Sequence, residues 1–351
     1  MAKIIFLTSI LFLSSHLSEQ TKLKANKNFE RINALQKKAY NYSTTTQATS
    51  SSANNITDET TTFATNKLED DKKVINETLE KQHSILLGNI RFKTSDPKYV
   101  SDDKILKVFD ARIYWPQCKT IGEVHNKGNS PIDLAFAATG TLADRMCIET
   151  KGVKNQLLSA EELISCSGQD YHHKHVHSFE TWEYLKSHGV VSGGKYNSDD
   201  GCQPFQVPPI CELPTYHNRH ACIRQCYGNK SIDYISDHVK VKNWYVIKGR
   251  RTPVYVQKEV QAYGPVVAYF DLYDDFFLYK SGVYERSKAA KFVKFQHAKL
   301  IGWGVENGVE YWLLVHSVGS EWGQNGLFKI KKGTNECCIE NWITGIVPEI
   351  K

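Results

Sequence analysis

Long apolar runs are scarce in this sequence of 351 residues. The only one opens the chain as "MAKIIFLTSILFLSS", where an apolar stretch too short to cross a bilayer follows a lysine and ends in small residues. These features are typical of a secretory signal peptide, which we assign to residues 1–18. Because no later run is long enough for a membrane helix, we expect the mature protein to be soluble and not to bind a membrane.

Clusters of basic residues and zinc-type cysteine spacings are also missing. The formal net charge is only +6, and no basic patch is interleaved with aromatic residues, so we expect no binding to nucleic acid. Cys222 and Cys226 lie four apart, but no matching pair follows at the spacing of a zinc finger. In a secreted protein the nine cysteines are instead expected to form disulfides, with at least one thiol left over.

The N-terminal part of the chain differs from the rest in composition. Residues 42–65 are rich in Ser and Thr and poor in large apolar side chains, which predicts a disordered spacer. Charged sequence with weak helical periodicity follows, so we assign residues 19–104 as a whole to a pro-region. N-x-S/T sequons fit an exported glycoprotein and occur at Asn41, Asn55, Asn76 and Asn229.

Residues 105–351 are predicted to form one α+β domain with two lobes. Helical patterns cover Ile132–Thr150, Ser159–Ile164 and Phe179–His188. Strand patterns separated by Gly and Asn turns cover Gly264–Tyr273, Ala298–Val305, Val309–Ser317 and Gly326–Gly333. Helices followed by strands favour segregated layers, and a cleft between two lobes is a common place for a site.

Seven strings in this domain belong together. They are "FDARIYWPQC" (Phe109–Cys118), "DRMCI" (Asp144–Ile148), "GVVSGGKY" (Gly189–Tyr196), "GCQPF" (Gly201–Phe205), "GPVVAYFDLYDDFFLYKSGVY" (Gly264–Tyr284), "HAKLIGWGVENGVEYWLL" (His297–Leu314) and "EWGQNGLFKI" (Glu321–Ile330). In these strings the sequence closely resembles the cathepsin B branch of the papain-like cysteine peptidases, over nearly all of residues 105–351. The resemblance implies a papain-like fold, with a helical left lobe, a β-barrel-like right lobe and an active-site cleft between them.

The same resemblance shows that most of the family's catalytic side chains are replaced. The nucleophilic cysteine of the family falls on Asp133, its oxyanion glutamine on Lys127 and its orienting asparagine on His316, whereas the histidine is present as His297. The tryptophan that shields the asparagine is Val318. Other changes replace the glycine before the histidine and two substrate-binding glycines, at Gln296, His175 and Val176.

Asp133 has several readings. Locally, Ser130 could be the N-cap, Pro131 the first helical residue and Asp133 part of a capping box that also suits the helix dipole. A carboxylate here can also replace the lost thiolate in an ion pair with His297 across the lobes. Two enzymatic alternatives are an Asp–His pair that activates water, and a metal bound by Asp133, His297 and His316. Attack on an amide by the carboxylate itself is disfavoured, because it would form an anhydride without the usual oxyanion donor.

The resemblance also implies a disulfide pattern. It pairs Cys118 with Cys147, Cys166 with Cys222 and Cys202 with Cys226, and it leaves Cys211, Cys337 and Cys338 unassigned. The loop from Cys211 to Cys222 is shorter than in cathepsin B and lacks its adjacent histidines, for which His217 and His220 are no obvious substitute. His172, His173, His175 and His177 are interpreted as a solvated surface rather than a metal site.

The sequence therefore predicts a secreted or lysosomal cathepsin B-like protein without peptidase activity. We expect a monomer that binds a protein or peptide in its cleft, with no cofactor and no metal. The alternative is a hydrolase with altered chemistry, either Asp/His or metal-dependent. A protein without peptidase activity cannot cleave itself, so any removal of the pro-region is expected to need another enzyme.

Overall fold

The computed structural model describes residues 99–128, 130–169, 178–208, 221–248 and 251–350. The chain divides into two compact units, residues 1–88 and 89–351, and every described residue belongs to the second unit. Within this described part, no helix is both long enough and apolar enough to cross a membrane.

Several sequence predictions lie outside the described residues and stay predictions. They concern the signal peptide (1–18), the spacer (42–65), most of the pro-region (19–104), three sequons (Asn41, Asn55 and Asn76), the histidines from His172 to His177, Val176, and the loop residues Cys211, His217 and His220. The fourth sequon is described: Asn229 is exposed, and its side-chain oxygen accepts hydrogen bonds from the backbone and hydroxyl of Ser231.

Five α-helices lie among the residues that the structure describes. They are α1 (Ala111–Tyr114), α2 (Asp133–Glu149), α3 (Ala160–Cys166), α4 (Ser178–Ser187) and α5 (Thr252–Tyr263). The three predicted helices correspond to α2, α3 and α4, with ends that differ by no more than two residues. Ser159 caps α3 by accepting a hydrogen bond from the backbone of Glu162, as its position predicts.

In the described part of the chain, eight strands form one mixed sheet. They are β1 (Phe109–Asp110), β2 (Val241–Ile247), β3 (Val266–Tyr273), β4 (Val283–Tyr284), β5 (Phe292–Glu306), β6 (Val309–Val315), β7 (Leu327–Lys331) and β8 (Ile343–Pro348). The order is β2-β8-β3-β5-β6-β7-β4, with β1 paired to β5, and all described pairs are antiparallel except β4 with β7. The described strands form an open sheet, so the barrel-like lobe of the prediction is present as an unclosed sheet.

Strand β5 is the centre of this sheet and carries His297. It is six residues longer at its start than the predicted strand, because Phe292–His297 continue the pairing with β3. Further along, β5 approaches the start of the domain very closely: a Cβ on Gly302 would lie 2.2 Å from the carbonyl oxygen of Phe109. The glycine is therefore required for β1 to pair with β5.

Helix α2 is buried along almost its whole length. Every residue from Asp133 to Cys147 is buried, and the helix contacts β5, β8 and α3. A buried ion pair joins it to β5, where the amine of Lys299 lies 2.8 Å from the carboxylate of Asp144. This rigid attachment fixes the first turn of α2, and with it Asp133, against the strand that carries His297.

All three predicted disulfides are present. Cys118–Cys147, Cys166–Cys222 and Cys202–Cys226 are bonded. Cys337 and Cys338 remain thiols; they sit in a short turn where both have left-handed backbone angles, with φ of 49° and 60°. The first bridge ties the segment after α1 to α2, so it also holds the helix that carries Asp133.

Candidate functional site

Asp133 is the first residue of α2, and the capping-box prediction for it is wrong. The helix begins after Ile132, and within the described residues no side chain caps it; the Ser130 hydroxyl is buried and has no hydrogen-bond partner there. The acid still lies in the first turn, where the helix dipole favours a negative charge. Its carboxylate, however, is directed to the sheet rather than to its own helix.

The partner of Asp133 is His297, which the sequence resemblance aligned with the family's catalytic histidine. One carboxylate oxygen of Asp133 accepts the backbone N–H of His297 at 2.7 Å and lies 3.0 Å from Nδ1 of its ring. The ring of His297 also packs edge-on against Tyr269 on β3, with centroids 5.2 Å apart. The structure thus brings together the two residues for which the sequence predicted an ion pair across the lobes.

The Asp133 carboxyl is held in its ionised form. Its burial by itself would raise the pKa, but the hydrogen bond and charge of His297, assisted by Lys127 and Lys294, together lower the pKa below the usual value. Asp133 is only 4% exposed. A buried carboxylate with these partners is a stable anion, not a proton donor.

Lys127, which the sequence resemblance aligned with the oxyanion glutamine, is hydrogen-bonded within its own loop. Its amine donates a hydrogen bond of 2.6 Å to the carbonyl oxygen of Ser130, and its side chain is 4% exposed. Burial and the nearby positive charge of Lys294 lower the pKa of Lys127 to about 8, while Asp133 opposes that change. A side chain held this way does not present a donor to a ligand in the cleft.

His316, which the sequence resemblance aligned with the orienting asparagine, is enclosed by aromatic rings. Its ring lies 5.0 Å from that of Trp322 and close to those of Phe276 and Phe328. Its Nδ1 accepts the backbone N–H of Ser317 at 2.7 Å. Burial, with the charge of Lys127 as a smaller cause, lowers the pKa of His316 to about 3, so this ring is neutral at pH 7.

The metal alternative does not fit these residues. Among the described residues, no three His, Cys, Asp or Glu side chains are arranged to hold a metal ion. Two of the candidate donor atoms are already used, since Nδ1 of His316 accepts a backbone N–H and one carboxylate oxygen of Asp133 contacts the ring of His297. Lys127 adds a positive charge that would repel a cation.

Two residues near the site were not found from the sequence. Lys294, three positions before His297, is close enough to change the pKa of Lys127, Asp133 and His316. Trp322 covers His316, although Val318 replaces the tryptophan expected from the family. Trp322 could have been found, because it lies in the string "EWGQNGLFKI" that carries the family resemblance. Nothing in the sequence marks a single strand lysine such as Lys294 as a site residue.

Gln296, the residue in place of the glycine before the histidine, is almost fully buried at 1% exposure. Its amide nitrogen has no hydrogen-bond partner in the described part of the chain. Lys127, Asp133, His297 and His316 are buried as well, each at most 7% exposed.

The fold agrees with comparisons to known proteins. A family model described as "Papain family cysteine protease" matches residues 105–346, more than half of the chain. The chain therefore belongs to the papain family of cysteine proteases, and its relatives place it in the cathepsin B-like branch.

The curated relatives include three proteins of Caenorhabditis elegans. The chain is 35% identical over 264 residues to "Cathepsin B-like cysteine proteinase 4", covering 72% of this chain and 78% of that protein. It is 38% identical over 242 residues to "Cathepsin B-like cysteine proteinase 3", covering 68% and 65% of the two chains. It is 34% identical over 270 residues to "Gut-specific cysteine proteinase", covering 72% and 80%.

Solved structures show the same fold. Procathepsin B S9 from Trypanosoma congolense superposes with a TM-score of 0.64 at 28% identity, covering 75% of this chain and 84% of that one. A digestive procathepsin L 3 of Tenebrio molitor superposes with a TM-score of 0.51 at 20% identity, covering 71% and 72%, and supports the fold alone. The predicted papain-like fold and cathepsin B-like membership are confirmed.

Proposed function

We propose that this cathepsin B-like protein does not cleave peptides and acts by binding a protein or peptide in its cleft, after export to the extracellular or lysosomal space. The observation that carries the proposal is the double contact of Asp133 with His297. The carboxylate accepts both the backbone N–H and the ring of the histidine. The proton-transfer residue is thereby joined to a structural anion instead of to a nucleophile.

The surrounding groups support the loss of peptidase chemistry. Cysteine peptidases need a thiolate, and position 133 has none. Removing a single oxyanion donor costs roughly 10²–10³ in rate, and here the corresponding side chain, Lys127, is bound to the carbonyl of Ser130. The three bonded disulfides and the signal-like N-terminus support export into an oxidising compartment.

One geometric feature favours the alternative of an Asp–His hydrolase. If Nδ1 of His297 donates to Asp133, as the 3.0 Å contact allows, then Nε2 is a base that could activate water. Against this, His297 is 7% exposed and the neighbouring Gln296 is 1% exposed, so the structure offers a water molecule and a substrate little access.

The first experiment is peptide hydrolysis by the purified protein from pH 4 to pH 8 under reducing conditions. The matched control is His297→Ala, and a second series adds either zinc or a chelator. We expect no turnover above the control and no labelling by electrophilic peptide probes that alkylate a thiolate. Turnover that requires His297 would make the protein a hydrolase, and turnover that requires zinc would make it metal-dependent.

A restored variant tests whether the scaffold is intact. The triple change Asp133→Cys, Lys127→Gln and His316→Asn returns the three family side chains to their positions. If the replaced side chains alone account for the lack of activity, this variant is expected to react with a thiolate probe, whereas Asp133→Cys alone is expected to react much more slowly. A triple variant that folds but does not react would mean that the burial of the site, rather than the three replaced side chains, prevents catalysis.

The charges of the site indicate the class of ligand. Neither Lys127 nor Lys294 forms an ion pair with a carboxylate of the described residues, whereas Asp133 is already paired with His297. The cleft floor therefore has an excess of positive charge, which favours an acidic peptide. We expect acidic peptides to bind more tightly than their amide counterparts, and Lys294→Gln to remove that preference. Lys291→Gln, an exposed lysine on the approach to the same strand, is the control.

A further inference from the structure

A cavity of about 420 Å³ lies beside helix α3, and none of its lining residues belongs to the site around Asp133. Its volume is in the range of small-ligand sites. The lining is buried on one side, where Glu161 is 4% exposed and Gln203 is 1% exposed. On the other side Gln206 and Ile223 are exposed, so the cavity opens to solvent. We call it the α3 cavity.

Two disulfides hold the walls of the α3 cavity. They are Cys166–Cys222 and Cys202–Cys226. The lining residues that directly precede or follow one of these bonded cysteines are Ser165, Gln203, Ala221, Ile223 and Tyr227. Because the disulfides already order these walls, a ligand would lose little affinity to ordering them.

Most side-chain hydrogens of the α3 cavity are used by the protein itself. The amide nitrogen of Gln203 donates to two backbone carbonyl oxygens, at 2.5 Å and 3.0 Å. The amide of Gln206 and the hydroxyl of Tyr227 both donate to the carbonyl oxygen of Pro204, at 3.1 Å and 2.8 Å. The hydroxyl of Ser165 donates to a carbonyl oxygen of its own helix at 3.5 Å. The cavity therefore has few hydrogens to offer to a ligand.

Hydrogen-bond acceptors and a negative charge dominate the rest of the lining. Gln203 and Gln206 donate through their nitrogens, and each has an oxygen that can only accept. Glu161 adds a carboxylate, one oxygen of which accepts the backbone N–H of Gln206 at 3.0 Å. Burial raises the pKa of Tyr227, and the charges of Glu161 and Glu162 raise it further, as expected at a negative potential.

Such a lining selects a ligand that is positively charged and rich in N–H donors. A guanidinium group meets both conditions, because it has five N–H donors in a plane, is always charged, and stacks on aromatic rings such as that of Tyr227. An anion would meet acceptors instead of donors. We propose that the α3 cavity binds the guanidinium group of an arginine side chain from a peptide or protein partner. This binding is independent of the function proposed for the cleft.

The test is a ligand-observed NMR titration of the purified full-length protein with N-acetylarginine amide. N-acetylcitrulline amide is the matched control ligand, because its urea group has nearly the same shape but no charge. We expect the arginine derivative to bind about tenfold more tightly than the citrulline derivative. Glu161→Gln keeps the size of the side chain, removes its charge, and is expected to weaken binding of the arginine derivative by about tenfold. Glu149→Gln, at an exposed carboxylate on the last residue of α2, should leave binding unchanged.

Ile223→Lys provides a second test if the Glu161 variant does not fold. Ile223 is 41% exposed, so a lysine there can reach solvent, and its charge should repel the ligand and weaken binding. Val153→Lys, at a residue that is 85% exposed elsewhere on the domain, is its control. The proposal is overturned if the arginine derivative does not bind, or binds no more tightly than the citrulline derivative. It is equally overturned if every folded cavity variant binds the arginine derivative as the wild type does.

Discussion

The enclosed ring of His316 predicts a loss of stability in acid. In the unfolded chain this histidine binds a proton near pH 6.5, whereas in the folded protein its pKa is about 3. Between these values the unfolded state binds more protons, so the free energy of unfolding falls as the pH falls, and above pH 6.5 the group has no effect. Protonation would also place an N–H of the ring against the backbone N–H of Ser317, which now donates to it.

The size of the effect follows from the pKa difference. At pH 5 the pH is about 1.5 units below the pKa of His316 in the unfolded state, but still above its pKa in the folded state. Protonation therefore stabilises only the unfolded state. At roughly 1.4 kcal/mol for each unit, it lowers the free energy of unfolding by about 2 kcal/mol. The assay is urea denaturation of wild type and His316→Asn at pH 7 and pH 5. The variant is expected to lose about 2 kcal/mol less than the wild type on this change of pH.

His238 provides a control of opposite sign. Its hydrogen bond to Glu162 raises its pKa, so its contribution to stability is present at low pH and is lost as the pH rises through the folded pKa. His238→Asn should therefore make the loss from pH 7 to pH 5 larger, where His316→Asn makes it smaller. Equal pH dependence in wild type and His316→Asn would refute the reasoning, since it would mean that His316 is solvated or protonated in the fold.

Two further changes probe the same interior. Lys127→Gln removes a buried amine whose pKa falls from 10.5 in the unfolded chain to about 8 in the folded protein. This difference of about 2.5 pKa units predicts that the variant gains up to about 3 kcal/mol in unfolding free energy at pH 7. The gain should shrink as the pH rises from 8 toward 10.5. Urea denaturation at pH 7 and pH 10 checks it, and an unchanged or lowered stability at pH 7 would contradict it. Gly302→Ala places a methyl group against the carbonyl of Phe109 and should lower the unfolding free energy by more than about 3 kcal/mol, measured as a lower urea midpoint. Gly308→Ala is the comparison. Its left-handed φ strains an alanine there, but the added Cβ would meet no atom within 4 Å. A similar loss at both glycines would mean that the contact with Phe109 is not the cause.

The sequence predicted those helices and strands whose own residues show a regular hydrophobic pattern. Helix α2 is apolar along most of its length and strand β6 is a short run of β-branched and aromatic residues, so both were found from the sequence within two residues at each end. Strands β2 and β8 were missed. They pair with each other although about 95 residues separate them, and no local pattern reports that pairing.

The error at Ser130 has the same origin. The run Ser130–Pro131 with an acid at 133 is a sound capping signal when only the neighbouring backbone competes for the carboxylate. Here a backbone N–H and a ring nitrogen of His297, 164 positions away, take it instead. Family resemblance identified His297 as the residue opposite, but only the folded chain shows that its main chain takes part.

The hydrogen bond from the backbone of His297 to the carboxylate of Asp133 depends differently on the side chains of its two residues. Every residue except proline has a backbone N–H, so this half of the contact with Asp133 survives almost any substitution at position 297. The other side has no such freedom, because only a side-chain acceptor of the right length at position 133 can reach the strand. Under the proposed binding function, which needs no general base, His297 is the replaceable partner and Asp133 is the fixed one.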